Sequence, residues 1–194
     1  MEIDYQYIIH QIETNYFVQL SEDCRQDLIQ SIKIKPLEKH TLLIKEGQYT
    51  NTIYFVVKGC ARAYYLKDGK EITDWFAFEN DFITSINGYF LSIPSPYSIE
   101  LLESAIIIEF SRETINQLTQ KHHDFTQLEK AIVTKTMLQL QERVVSIQFR
   151  TAQEKYLSLL ELYPSITQRV SLTQIASYLG ITLETLSRIR NSKT

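Results

Sequence analysis

The hydrophobic period of this 194-residue chain changes twice, at Pro36 and again after Phe110, and each stretch admits a different kind of structure. Ahead of Pro36 the apolar residues keep helical spacing: Ile8, Ile9 and Ile12, then Phe17 and Leu20, a break at Ser21, and Leu28, Ile29 and Ile32. Ser21-Glu22-Asp23 reads as a helix start, because a Ser hydroxyl caps unpaired N–H groups and acidic residues suit the positive helix end. Residues 3–35 are therefore expected to be helical. From Pro36 the period falls to two. Thr41–Ile44, Ile53–Val57, Cys60–Leu66, Ile72–Phe78, Ile99–Leu102 and Ala105–Phe110 read as strands. Asp68-Gly69 is a hairpin signal, since the tight turn needs positive φ. Short strands at regular spacing, with no helix expected between them, argue for a small barrel or roll.

After Phe110 the helical period returns. Ser111-Arg112-Glu113-Thr114 opens a short helix to about Lys121. A long helix follows from near Asp124 to near Gln148. Along it Val133, Met137, Leu140, Val144 and Ile147 are spaced four, three, four, three, the seven-residue repeat of a coiled coil. Phe125, Leu128 and Ile132 form a neighbouring stripe. The expectation is one stripe on the roll and the other on a second copy of the chain. A further helix runs from Ala152 to about Leu162 and stops at Pro164, with Phe149-Arg150-Thr151 as the hinge before it.

The segment from Val170 to Arg190 has the pattern of a helix-turn-helix, a device that puts one short helix into the DNA major groove. Ser171 is the first cap. Ile175 and Leu179 face inward, and Ala176 is small where a second helix must cross. Gly180 lets the chain turn with positive φ, and Ile181 plugs the turn. Thr182 caps the second helix, which Leu186 and Ile189 pin to the first. Left facing outward are Thr182, Leu183, Glu184, Thr185, Ser187, Arg188 and Arg190. Arg188 suits a bidentate contact to guanine and Glu184 an acceptor for a cytosine amino group. Thr182, Thr185 and Ser187 suit phosphates. The bland alternative is a helical hairpin with a solvated polar face.

An apolar share of 44% supports a real core, and no run reaches the length of a membrane span. Met1-Glu2-Ile3-Asp4-Tyr5 has no signal-peptide pattern, so a reducing cytoplasm is expected and no membrane partner. Cys24 and Cys60 lack metal spacing; His10, His40, His122 and His123 are not grouped like a zinc site, and the His122-His123 pair reads as surface. No metal site is expected. Without clustered His and carboxylate ligands on the strands, a Ser-His-Asp order or a phosphate-binding glycine loop, no enzyme is expected either. The net charge of −3 is unhelpful for a DNA binder, but Arg169, Arg188, Arg190 and Lys193 stand against Glu184 alone from Pro164 onward. A mildly basic end on an acidic body suits a protein that touches DNA at one tip.

Roll, short helix, seamed helix and C-terminal helix-turn-helix together resemble the cyclic AMP receptor protein/Fnr (Crp/Fnr) family of bacterial regulators. The resemblance covers nearly the whole chain. It is carried by Gly47 and Gly59, by Glu79-Asn80-Asp81-Phe82-Ile83 and by Glu184-Thr185-Leu186-Ser187-Arg188-Ile189. It implies a homodimer, an effector pocket in the roll, and paired reading helices on a palindromic site, with RNA polymerase as a further partner. It assigns base contacts to Glu184 and Arg188. Leu183 stands where the family often has a third, basic contact, so a different sequence is expected, with a thymine methyl as one partner for Leu183.

The chain departs from the cyclic-AMP-binding pattern. After Asp81-Phe82-Ile83 that pattern has a Gly-Glu pair for the ribose; here Thr84-Ser85-Ile86 follows. The Arg that should hold the cyclic phosphate is missing, with no Arg or Lys from Leu91 to Ser111. Cyclic AMP and cyclic GMP are expected to bind weakly or not at all. No cofactor is expected: Cys24 alone cannot serve an iron–sulfur cluster, and His40 or Cys60 as a haem ligand is the weaker reading of a lone side chain. Phe82, Ile83, Ser85, Ile86, Asn87, Tyr97 and Ile99 are the candidate pocket residues, which suit an apolar or uncharged small effector, or an empty pocket. The sequence ends four residues after Arg190, where the family continues into a β wing.

The expected fold is α+β: an N-terminal double-stranded, jelly-roll-like β-roll with flanking helices (residues 1–123), a long dimerisation helix (124–149), and a small all-α helix-turn-helix domain lacking the usual wing (150–194). The expected function is a dimeric DNA-binding transcription regulator. The alternative is a signalling module of the same roll that binds another small effector and no longer reads DNA.

Overall fold

Helix α1 (Tyr5–Tyr16) begins where the Asp4 carboxylate accepts the Tyr7 N–H at 3.1 Å, and ends at Phe17 with φ +54°. The computed structural model describes residues 4–191. Met1, Glu2, Ile3 and Lys193, used in the expectations above, lie outside the described residues. Helix α2 (Glu22–Ser31) is capped by Ser21, as its sequence predicts. The expected helix over 3–35 is too long, however. Ile32 is already extended, and Lys33–Leu37 forms strand β1, antiparallel to β8 (Ala105–Ser111) with Ile34 opposite Ile108. Pro36 is tolerated because β1 is an edge strand.

Two four-stranded antiparallel sheets make the roll. The first has the order β1, β8, β3 (Thr52–Lys58), β6 (Phe82–Ile83); the second has β2 (Leu42–Ile44), β7 (Ser98–Leu101), β4 (Ala61–Lys67), β5 (Lys70–Ala77). The Asp68-Gly69 hairpin pairs Lys67 with Lys70. Gly59 closes the turn between β3 and β4 at φ +109°, and a Cβ there would stand 2.6 Å from the Ala105 Cβ, so only glycine fits without a shift. The roll is not free of helix as expected. Ser85 caps α3 (Ile86–Leu91) between β6 and β7 by accepting the Gly88 N–H at 3.3 Å.

The alternation along each strand sorts its side chains into separate cores. Tyr54, Val56 and Ile107 fill the space between the sheets with Ile99 and Leu101. Phe55, Ile108 and Phe110 face the other way, onto α1, α2, α4 (Arg112–Lys121) and the start of α5 (His123–Phe149). Phe125 and Leu128 of α5 are buried in that core and Ile132 packs against it, the stripe expected to meet the roll. On β5, Ala77 looks inward while Phe76 points out of the second sheet.

That outer face is covered by the C-terminal helices: α6 (Ala152–Leu162), α7 (Ile166–Arg169), α8 (Leu172–Leu179) and α9 (Leu183–Asn191). Cys60, Phe76, Phe78 and Leu102 of the roll share one core with Tyr156, Ile166, Ile175 and Leu186. Burying Leu186 fully contributes about 2 kcal/mol. Ser177 of α8 accepts the Thr73 N–H at 2.9 Å and donates to the Glu71 carbonyl at 3.2 Å, so a helix hydroxyl satisfies the open edge of β5. Among the described residues no helix is long and apolar enough to cross a membrane.

Candidate nucleic-acid interface and effector pocket

The turn before α9 is built by its own residues. Ser171 and Gln174 form a reciprocal cap on α8, each main-chain N–H going to the other side chain at 3.3 Å. Gly180 adopts φ +66° and donates to the Ala176 and Ser177 carbonyls, ending the helix. Thr182 then accepts the Thr185 N–H at 3.2 Å and starts α9. Ile175, Ala176, Leu179 and Leu186 are buried between the two helices. Thr182, Leu183, Glu184, Ser187, Arg188 and Arg190 are exposed and Thr185 is half-buried. The Glu184 carboxyl is held below its ordinary range by its own N–H and by the Thr182 hydroxyl, so it is ionised at neutral pH. Arg188, one turn on, touches only the Thr185 hydroxyl, at 3.5 Å, among the described residues. A guanidinium and a carboxylate thus stand on one solvent-facing helix surface.

Arg169 belongs elsewhere. Counted from sequence with the basic tip, it instead donates to both Glu79 oxygens at 2.8 and 2.7 Å and to Glu103 at 3.1 Å, and stacks over the Phe78 ring. Burial raises the Glu79 carboxyl, but Arg169 and the Gly59 N–H outweigh it and the pKa falls below the ordinary value. Glu100 is likewise engaged, with the buried Arg62 at 2.6 Å.

A cavity of about 560 Å³ lies between the roll and α5. Of the candidate pocket residues, Phe82, Ile83, Ile86, Asn87 and Tyr97 line it. Ser85 and Ile99 do not. The Ser85 hydroxyl is spent on capping α3, and Ile99 points into the core between the sheets. Tyr97 donates to the Thr84 carbonyl at 3.1 Å and accepts the Ile86 N–H at 3.0 Å, fixing the start of α3 at the cavity wall. The sequence reading missed Ala63, Tyr65 and Trp75, which period-two alternation could have found. It also missed α5 as a wall. Val133, Met137 and Leu140, read as a dimer seam, border the cavity as well. Val133, Met137, Val144 and Ile147 are 46–60% exposed and Leu140 is partly so.

The histidine pair divides. His122 is buried, contrary to the surface reading, while His123 is exposed. Cys24, His122 and Asp124 bring three possible ligand atoms within 4.8 Å of one another, a grouping hidden by their separation in sequence. Each is already partnered. Asp124 accepts the Ser21 and Phe125 N–H groups at 2.5 and 3.0 Å, and His122 Nε2 lies 2.5 Å from Asp27. Burial and Asp124 push the Cys24 thiol up to about 12. The cluster ties α2 to the junction of α4 and α5. His40 is exposed and Cys60 fully buried.

Residues 34–122 match the family described as the cyclic nucleotide-binding domain. The chain is 23% identical over 169 residues to the anaerobic regulatory protein of Haemophilus influenzae, covering 80% of this chain and 64% of that protein. It is 27% identical over 173 residues to the transcriptional activatory protein AadR of Rhodopseudomonas palustris, covering 83% and 70%. The structure superposes on FixK2 from Bradyrhizobium japonicum with a TM-score of 0.70 at 19% identity, over 83% of each chain. Over most of its length the chain is similar to regulators of the Crp/Fnr family. The fold it shares with FixK2 is α+β, here a roll of two antiparallel sheets followed by helices. The chain spans just under two thirds of the length of the Haemophilus influenzae regulator.

Proposed function

We propose that this chain is a homodimeric, cytoplasmic DNA-binding transcription regulator without catalytic activity, organised as a sensor roll (1–123), a dimer helix (124–149) and a DNA-reading domain (150–194). The observation that carries the reading is α9. Leu186 anchors it, and Glu184 and Arg188 stand exposed one turn apart. That is the arrangement a reading helix needs, with bases met by the exposed pair and backbone phosphates by Thr182, Thr185, Ser187 and the basic Arg190. Leu183, 42% exposed, is the partner for a thymine methyl. The second copy is held by the stripe Val133, Met137, Leu140, Val144 and Ile147, exposed except at the half-buried Leu140. Two-fold symmetry then implies a palindromic site with half-sites about one helical turn apart. RNA polymerase is the further partner this role implies.

The roll would act as the effector domain, and its cavity does not suit a cyclic nucleotide. Among the described residues lining it there is no Lys or Arg to meet the phosphate. A buried phosphate without a cation keeps its desolvation cost and forgoes charge-assisted hydrogen bonds. Selection of random duplexes by the purified protein at low salt tests the proposal. An enriched palindrome supports it. No enrichment, with or without effector, would favour a signalling module that no longer reads DNA.

A further inference from the structure

The cavity between the roll and α5 has a charge character opposite to that of an anion site. Its wall carries two carboxylates, Asp74 and Glu129, and no Lys or Arg among the described residues. Among the described residues no Lys, Arg or His lies within ion-pair distance of Glu129. Asp74 has Arg143 at 3.6 Å, but Arg143 lies outside the wall. Its guanidinium donates to the Tyr178 carbonyl at 3.1 Å and the Thr73 carbonyl at 3.4 Å and covers the Tyr178 ring. Nearby cations are spent elsewhere: Arg62 on Glu71 and Glu100, Lys135 on Asp81, Arg112 on Ser92 and the Gly88 carbonyl.

The rest of the wall is apolar and aromatic. Tyr65 and Tyr97 meet edge to face at 5.2 Å, with Trp75 beside them on β5. Burial first, and Asp74 among the further causes, raises both Tyr65 and Tyr97, so the carboxylate's field reaches their hydroxyls. Aromatic faces attract cations through their quadrupole, most strongly where water is excluded. Aromatic walls and two carboxylates, one unpaired, disfavour a phosphate or carboxylate and favour a positive charge on an apolar body. The volume of about 560 Å³ suits a small organic ligand.

We infer that this cavity takes a small, largely apolar organic cation, an amine, as its ligand. The inference rests on the reading of the roll as the effector domain and names the chemical class that this domain accepts. Asp74, whose field reaches Tyr65 and Tyr97, meets the charge; Tyr65, Trp75 and Tyr97 enclose the apolar body, and Glu129 makes the α5 wall more negative.

Three probes of one shape test it on the full chain by calorimetry: naphthylmethylammonium, naphthylmethanol and naphthoate. The ammonium is expected to bind about tenfold tighter than the alcohol, with naphthoate weakest. Asp74→Asn should weaken ammonium binding several-fold and Glu129→Gln by less, each leaving the alcohol unchanged. Thr136→Phe, on the α5 wall, should reduce binding of both. Equal or tighter binding of the alcohol or the acid overturns the assignment. So does binding of none of the three, or ammonium binding that Thr136→Phe leaves intact, which would place it outside the cavity. No DNA is present in this experiment, so its outcome is independent of the selection that tests the DNA-reading proposal.

Discussion

Arg169 sets its two terminal nitrogens on the two oxygens of Glu79, at 2.8 and 2.7 Å, and so joins the segment before the helix-turn-helix to the strand side of the roll. The same Glu79 carboxylate accepts the N–H of Gly59 at 2.8 Å. Replacing Arg169 by Gln should loosen this junction. Both side chains are partly solvated, so the loss is about 1 kcal/mol, a fall in Tm of about 2–4 °C. Thermal unfolding checks it. An unchanged Tm would mean that the shared apolar core alone holds the junction.

Acid should weaken the same contact. The Glu79 pKa is depressed in the folded state from 4.5, so its contribution is present above that value and is lost as pH falls through the folded pKa. The wild type should therefore lose more Tm than Glu79→Gln between about pH 6 and pH 3.5. Parallel loss in both proteins would rule out this carboxylate as the cause.

Val144 is 52% exposed on the seamed face of α5 and does not line the cavity. Val144→Asp should weaken the dimer by about tenfold or more, since an apolar contact is lost and two like charges meet near the two-fold axis. Sedimentation over a concentration series reads this. A wild-type chain that remains monomeric at high concentration would refute the dimer.

Arg188→Ala should cost about 1–3 kcal/mol of discrimination between the selected site and single-base variants at one position. Equal loss on every sequence would demote Arg188 to a phosphate contact.

Cyclic AMP should bind this chain about 30-fold or more weakly than a roll that supplies the missing cation, because one charge-assisted pair is absent. Calorimetry with cyclic AMP at high micromolar concentration should show no saturation. Tight binding would mean that a cation outside the cavity wall reaches the phosphate.

Legibility followed locality. The turn at Gly180 can be read from sequence because Ser171, Gln174, Ala176, Gly180 and Thr182 are near neighbours whose roles are local. The Asp68-Gly69 hairpin is legible for the same reason. Strand β1 is not, since Ile32 continues the helical spacing of Leu28 and Ile29, and Pro36 argues against a strand unless the strand lies at an edge. Helix α3 hides because its six residues include Gly88 and two aromatics, and its cap at Ser85 looks like a pocket residue. Arg169 was misplaced because a charge count carries no direction. Its partners Glu79 and Glu103 are 90 and 66 residues away. The α5 wall of the cavity escaped for a different reason: one apolar stripe serves two neighbours, and periodicity reports the stripe without saying what it touches.

The shared core of Phe76, Phe78, Ile175 and Leu186 has a consequence for dissecting the chain. Helices α8 and α9 are also the lid of the second sheet. A fragment cut before Ala152 would bare two phenylalanines and an unpaired strand edge at Thr73, the kind of surface on which chains stack strand to strand. The roll prepared alone is thus expected to precipitate, and its behaviour in that form would say little about the intact chain.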